Sequence, residues 1–511
     1  MYPAVHAQTD PHRPAVVMAG SGRTVTYGQL EDESSRLASA LHARGLRKGD
    51  VVAVLADNAP EVFSILWAAL RSGLYITPVN RNLTSSEVAY IVGDSGAKVL
   101  FASAALADLS VAVAAEVKPE SLIAFGGAVD GFESFEEVLA SAGAPLGDRP
   151  RGADMMYSSG TTGRPKGVKS RMLPIQVDQP GDPITGLLSQ AFKVGPQDVY
   201  LQPAPIYHAA PLKWAGAVQA LGGTVVMLEK FDAESALQAI QDHRVTIAQF
   251  VPTMFVRMLQ LPEAVRTSYD VSSLRLAVHA AAPCPPDVKR AMIEWWGPIV
   301  FEYYGSTEQH GITLTSSPEW QQKPGTVGKA MIGIAHICDD EGNELPAGEI
   351  GSVYFERDEL PFEYHNDPEK TAAAIHPQHG TWTTVGDLGY LDEDGYLFLT
   401  DRKSFVIISG GVNIYPQEVE NLLTMHEKIF DVAVIGVPDA EMGQSVKAVV
   451  QLKEGVEAGP DVEREIIDYV RANIATFKAP RSVDFVDSLP RTPTGKLVKR
   501  ELTRRYEPQG V

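Results

Sequence analysis

Between residues 51 and 103 the chain repeats one rhythm, and that rhythm limits the folds open to it. "VVAVLADN" (51–58) is a short apolar run that ends in polar residues. "EVFSILWAALRSG" follows, with Phe63, Leu66, Trp67 and Leu70 on one helical face and Gly73 as a stop. "YITPVN" reads as a second strand, and a helix from about Ser86 leads to a third, "AKVLFAS". Strand, helix, strand at this spacing calls for parallel α/β architecture. The rhythm returns at 223–262, where "GTVVML" and "VTIAQFV" flank the helical "AESALQAIQDHR".

After Gly325 the texture changes. "GSVYFE" and "GYLFLT" are separated by turn-rich segments such as "DDEGNELPAGE", which is β structure. From Asp401 it changes again: "PQEVENLLTMHE" and "VEREIIDYVRANI" are amphipathic helices, and "FDVAVIGVP" and "VKAVVQL" are strands. The expected fold class is α/β. A large N-terminal domain (1–400) is built of α/β subdomains plus a β-rich subdomain, and a small α+β C-terminal domain (401–511) follows.

Lys+Arg number 44 against Asp+Glu 64, a net charge of −20, so a phosphate backbone is repelled and nucleic acid is excluded as a partner. Any bound polyanion needs a local reversal of charge. Residues 476–511 offer one, with eight Lys+Arg against four Asp+Glu. The two cysteines, Cys284 and Cys338, have no metal-ligand spacing and suit a reducing compartment. The N-terminus "MYPAVHAQTDPHRP" shows no apolar signal region and no run is long enough for a membrane span, so a cytoplasmic protein is expected.

The stretch "YSSGTTGRPKG" (157–167) packs three glycines, four hydroxyls and one lysine into eleven residues. Such a segment cannot join a core. It is either a flexible linker or a loop whose backbone N–H groups, hydroxyls and lysine hold phosphate. It is not a Walker A loop, because Lys166 is followed by Gly167 rather than Ser or Thr. No G-x-G-x-x-G follows a strand either.

This loop resembles the phosphate loop of the adenylate-forming superfamily, which includes acyl-CoA synthetases, peptide-synthetase adenylation domains and luciferases. Further segments resemble that family's motifs in the same order: "PIYHAAPL" (205–212), "HAAAPCP" (279–285), "YYGSTE" (303–308), "TTVGDLGYLDEDGYL" (383–397), "TDRKSFVIISGGVNIYPQEVE" (400–420) and "PRTPTGK" (490–496). The resemblance covers nearly the whole chain. It implies an enzyme that couples a carboxylate to ATP, releases pyrophosphate, and passes the acyl group from acyl-AMP to a thiol. It also implies a C-terminal domain that moves between these steps.

The roles that the resemblance implies can be placed on this sequence. Ser158, Ser159, Gly160, Thr161, Thr162 and Lys166 would grip the ATP phosphates. Ala281, Ala282 and Pro283 would line the adenine, with Tyr304 stacked on it between Tyr303 and Gly305. Thr307 would donate to the AMP phosphate, and Glu308 with Thr162 would hold Mg²⁺, a cation suited to carboxylate and phosphate oxygens. Asp387 would accept the ribose hydroxyls and Arg402 would reach the ribose. Lys496 would bridge the carboxylate and the α-phosphate. His208 would wall or gate the acyl site, giving a catalytic set of Lys496, His208, Thr162 and Glu308. Candidate acyl-pocket positions are His208, Trp214, Phe250, Val251, Ala280 and Gly311. Mostly apolar or small and with no fixed second cation, they fit a hydrophobic monocarboxylate, either a medium-to-long fatty acid or a ring-bearing acid. "PIYHAA" also lacks the acid that pairs with an amino acid's amino group.

CoA is the expected thiol, and the resemblance admits a homodimer. Ser409, Gly410, Gly411 and Lys447 would border its pantetheine path, and Lys478, Arg481, Arg491, Lys499 and Arg500 are candidates for its nucleotide end. The chain departs from its relatives at the hinge, where Asp401-Arg402-Lys403-Ser404 places a serine at a position often Lys or Asp. Two other readings stand beside the ligase: an amide bond synthetase that passes acyl-AMP to an amine, and a non-catalytic acyl- or nucleotide-binding protein.

Overall fold

The structure is a computed structural model that describes residues 2–158, 165–492 and 497–506. Expected site residues Ser159, Gly160, Thr161, Thr162 and Lys496 lie outside the described residues. The chain forms two compact units. The first comprises 1–249, 261–277 and 361–372; the second comprises 250–260, 278–360 and 373–511.

In the first unit the expected rhythm becomes an eight-stranded sheet. Val51–Leu55 pairs in parallel with Tyr75–Val79 and with Ala97–Ser103, and Tyr75–Val79 pairs in parallel with Ala153–Ser158. Both Val51–Leu55 and Tyr75–Val79 are buried along their whole length, as parallel strands covered on both faces must be. The crossover helices are Glu61–Leu70 and Ser85–Asp94. The second starts sharply because Thr84 and Glu87 form a reciprocal capping box. Gly73 ends the first connection at a φ of +67°, a conformation glycine adopts without strain. The sheet edge is antiparallel: Lys166–Ser170 pairs with Ala153–Ser158 on one side and Phe362–Tyr364 on the other. A further group of strands in this unit places Val199–Gln202 parallel to Thr224–Met227, which is parallel to Pro14–Met18.

The second unit contains three β assemblies. Val300–Gly305, Ile312–Thr315 and Lys329–Ile332 pair antiparallel in sequence. Ile334–Cys338, Gly351–Glu356, Asp387–Leu391 and Leu397–Arg402 form an antiparallel sheet, as the turn-rich texture after Gly325 anticipates. Residue 401, the expected domain boundary, lies on the last of these strands. The C-terminal stretch forms its own sheet, in which Ile429–Asp439 pairs antiparallel with Gly443–Leu452, which runs parallel to Ser482–Phe485. Helices Pro416–Leu423 and Pro460–Asn473 bury Val419, Leu423, Ile466 and Val470 against it. Among the described residues no helix is long and apolar enough to cross a membrane.

Candidate active site

Two paired strands flank the glycine-rich stretch, whose residues 159–164 lie outside the described residues. Ala153–Ser158 and Lys166–Ser170 are in register, with Ser158 opposite Lys166 and Tyr157 opposite Gly167. A linker between domains has no reason to end on paired strands, so this register favours the loop reading over the linker. Tyr157 anchors the base by donating its hydroxyl to Asp94 Oδ2 at 2.6 Å. Burial, then the bond to Asp94, pushes this phenol far above its ordinary acidity range. Lys166 Nζ lies 5.1 Å from the centre of the Tyr364 ring. Gly167 leaves room for its neighbours, since a Cβ there would stand 3.0 Å from His365 Cβ and 3.1 Å from Tyr157.

Elsewhere in the first unit, His208 is the residue before helix Ala209–Ala220, half-buried, with its ring 4.5 Å from that of Tyr207. Trp214 faces inward, 5.9 Å from the Phe192 ring and 6.3 Å from the Tyr200 ring. It is an aromatic core residue here. The same helix carries a feature that sequence reasoning missed: Lys213 Nζ lies 3.1 Å from Asp154 Oδ1, and Ser170 Oγ donates to Asp154 Oδ2 at 3.0 Å.

The second unit gathers Tyr304, Asp387 and Arg402. The register of Asp387–Leu391 against Leu397–Arg402 sets Asp387 opposite Arg402. Arg402 Nε donates to Asp387 Oδ1 at 3.0 Å, and the Tyr304 hydroxyl donates to Oδ2 at 2.6 Å. Two lone-pair positions of the carboxylate remain for a diol. The chain of bonds continues through a residue the sequence did not flag. His310 Nε2 lies 3.3 Å from the Tyr304 oxygen, and His310 Nδ1 lies 2.7 Å from Ser306 Oγ. With Tyr304 donating to Asp387, the consistent tautomer carries its proton on Nε2 and accepts from Ser306. Burial lowers the His310 pKa to about 4, so the ring is neutral at pH 7. Arg402 is held above its ordinary value: burial opposes the charge, but Asp387, Tyr304 and Glu308 outweigh it. Tyr304 is driven well upward by burial and then by Asp387.

Glu308 is buried on the same segment. A phosphate-bound Mg²⁺ asks only one or two carboxylates of a protein, so a single buried glutamate fits that ion. Among the described residues no cluster of three His, Cys, Asp or Glu could hold a metal by itself. Ala281 takes a φ of +75° and Gln309 a φ of +56°. Such strain in residues that are not glycine is sustained only where the surroundings dictate it, and it concentrates at functional sites.

Several expected pocket positions are occupied by packing. Phe250 lies 5.4 Å from the Phe255 ring and 5.5 Å from the Trp296 ring. Gly311 is small because Phe355 fills its place: a Cβ there would lie 2.0 Å from Phe355 Cδ1. Val251 and Ala280 are buried.

The expected CoA positions have defined local structure. Ser409 pairs with Val412, so Gly410 and Gly411 are the two-residue turn of a hairpin, with φ of +58° and +78°. Positive φ at both positions is what such a turn demands of its residues. Lys447 Nζ donates to Asp484 Oδ1 at 2.6 Å and lies 4.9 Å from the Tyr506 ring. The basic tail is paired as well. Lys478 binds Glu418 at 2.5 Å, Arg481 binds Asp439 at 3.2 Å, Arg491 binds both oxygens of Asp431 at 2.6 Å, and Lys499 binds Glu420 at 2.8 Å. Four of its five candidate cations are thus neutralised by partners distant in sequence, which local charge counting cannot see.

The chain is an α/β protein in which paired strands flank the glycine-rich stretch and a tyrosine, an aspartate and an arginine form one buried network. The AMP-binding enzyme family matches residues 4–364, and the AMP-binding enzyme C-terminal domain matches 418–496. The chain belongs to this family, and it is an AMP-forming acid–thiol ligase of the acyl-CoA synthetase type. It is 34% identical to a fatty acid–acyl-carrier-protein ligase of Streptomyces coeruleorubidus, over 98% of this chain and 95% of the relative. It is 32% identical to a long-chain-fatty-acid–CoA ligase of Mycobacterium tuberculosis, over 98% and 97%. Among solved structures, ATP-bound MatB from Rhodopseudomonas palustris superposes with a TM-score of 0.83 at 31% identity, covering 99% of both chains.

Proposed function

We propose that this ligase activates a hydrophobic monocarboxylic acid, a medium-to-long fatty acid or a ring-bearing acid, and transfers it to CoA. The reading starts from the bonded set Tyr304, Asp387 and Arg402, in which a fixed carboxylate retains acceptor capacity for a ribose. ATP binds with its phosphates in the loop 158–166 and its adenine against Ala281–Pro283 and Tyr304. Thr307 would donate to the α-phosphate, and Glu308 with Thr162 would hold Mg²⁺, whose charge would offset that of the phosphates. A carboxylate oxygen of the acid attacks the α-phosphorus and pyrophosphate leaves. Lys496, carried on the C-terminal domain 401–511, neutralises the two anions as they meet. The thiol sulfur of CoA, its proton lost, then attacks the acyl carbon along the hairpin Ser409–Gly411, and AMP leaves.

The hydrophobic character of the acid is supported by the apolar or small side chains of the expected acyl positions Val251 and Ala280, both buried, and by the fatty-acid substrates named for the two relatives. The test is pyrophosphate release from Mg-ATP across a carboxylic-acid panel. Preference for long or ring-bearing monoacids supports the reading; preference for dicarboxylates or amino acids overturns it.

A further inference from the structure

A buried charge pair of the second unit lies outside the roles assigned so far. Lys289 is completely buried, and its Nζ donates to Glu302 Oε2 at 2.6 Å. The ammonium also lies 5.0 Å from the centre of the buried Trp320 ring. His279 completes the group: it is completely buried, its Nε2 stands 3.7 Å from Glu302 Oε2, and neither ring nitrogen has a hydrogen-bond partner among the described residues.

Stability does not account for the pair. Removing two charges from water costs more than a single contact returns, and apolar residues of the same volume often hold a fold as well or better. Location does account for it. His279 ends the strand Leu276–His279, Lys289 lies in the first turns of helix Pro286–Trp296, and Glu302 lies on the strand Val300–Gly305. The loop 280–285 spans the first two of these elements. It contains Ala281 at a φ of +75°, a conformation that persists only when the surroundings over-determine it. Glu302 is also two residues from Tyr304 on the same strand, hence on the same face. One buried bond therefore ties the base of the strained loop to the strand that presents Tyr304.

We propose that Lys289 and Glu302 are positioning residues for the nucleotide, fixing the loop 280–285 and the strand 300–305 relative to each other so that Ala281–Pro283 and Tyr304 meet the adenine. This rests on the assignment of these segments to adenine made above. Burial keeps His279 neutral, so it adds no competing charge beside Lys289. The pair touches no reacting atom, so its loss alters ATP binding and leaves the chemical step largely intact.

The test uses the full chain carrying Lys289→Met together with Glu302→Leu, which removes both charges and orphans neither. Thermal unfolding, steady-state kinetics and ATP binding by calorimetry are compared with the unchanged protein. The proposal expects a Tm within a few degrees, KM and Kd for ATP raised about tenfold or more, and kcat and KM for the acid within about threefold. A folded double variant with unchanged ATP affinity overturns it, because the pair would then be structural only. So would an equal loss in every kinetic parameter. If the double variant does not fold, Glu302→Gln, which keeps an acceptor for Lys289, reads the same division between ATP and acid. Calorimetry separates the two levels of the argument. An enzyme that binds ATP but turns over no acid in the panel fails the functional reading while still testing this one.

Discussion

Replacing Tyr304 by phenylalanine keeps the ring and deletes the bond to Asp387, together with the longer 3.3 Å contact from His310 Nε2. The hydroxyl of Tyr304 holds Asp387 Oδ2 at 2.6 Å while Arg402 holds Oδ1 at 3.0 Å, so the carboxylate is pinned from two sides. A hydrogen bond to a charged acceptor is worth about 1.5–3 kcal/mol net. At about 1.4 kcal/mol per tenfold, the loss of ribose binding has a ceiling of roughly 10- to 100-fold. The carboxylate is not part of the reacting bonds, so the interaction is uniform between ground and transition states. Tyr304→Phe should therefore raise KM for ATP within that ceiling and change kcat by less than about threefold. The assay is pyrophosphate release with ATP titrated at saturating acid and CoA. Tyr304→Ala serves as the comparison, since it also removes the stacking face, worth about 1–3 kcal/mol. If Tyr304→Phe leaves KM for ATP unchanged while Tyr304→Ala raises it, the ring alone matters and the proposed orientation of Asp387 by its bond is wrong.

Other outcomes follow from the same geometry. His310 has a pKa of about 4 in the fold against 6.5 in a free chain, so the unfolded state takes up the proton first. Stability should be full above pH 6.5 and fall toward pH 4 by up to about 3 kcal/mol for this group, and His310→Gln should flatten the slope of urea stability between pH 6.5 and 5.5. A rise on acidification would contradict the buried neutral ring. Gly311→Ala should destabilise by about 1–3 kcal/mol or more in thermal unfolding, because its Cβ would stand 2.0 Å from Phe355 Cδ1; an unchanged Tm would show that the Phe355 ring does not fill that space. Lys496→Ala should slow adenylation by about 10²–10⁴ or more, yet still form thioester from synthetic acyl-AMP and CoA, whereas equal losses in both steps would reject a role confined to one. Lys478→Ala and Arg481→Ala should each change KM for CoA by less than about twofold, because both cations already face acids and such partly exposed pairs are worth little.

Local pattern carried most of the fold. Apolar runs such as 51–55 and 97–103 are strands because β-branched and aliphatic residues crowd them, and Thr84 with Glu87 marks a helix start that any reader can find. The motif residues Tyr304, Asp387 and Arg402 were legible through resemblance, and the structure adds the bonds between them. What stayed hidden is what only tertiary contact creates. Lys289 and Glu302 lie thirteen positions apart, and no local pattern marks that burial joins them. Lys213 and Asp154 are similar. The basic tail looked like a polyanion site because the acids that neutralise it, Glu418, Glu420, Asp431 and Asp439, lie 42 to 79 positions upstream. Ala281 carries no sign of its positive φ, since alanine is the residue least expected to announce one. Trp214 and Gly311 were read as candidate pocket positions, and the structure adds their aromatic neighbours, Phe192 and Tyr200 for the first and Phe355 for the second.

Adenylation followed by transfer to CoA leaves products that distinguish it from every alternative. The most direct measurement supplies the enzyme with Mg-ATP, CoA, an equimolar mixture of simple amines and an acid that it turns over, and quantifies nucleotide and acyl products by mass spectrometry. AMP, pyrophosphate and acyl-CoA are expected in equal amounts. ADP and phosphate would contradict adenylation, and saturable amide formation with CoA inert would contradict the thiol as acceptor.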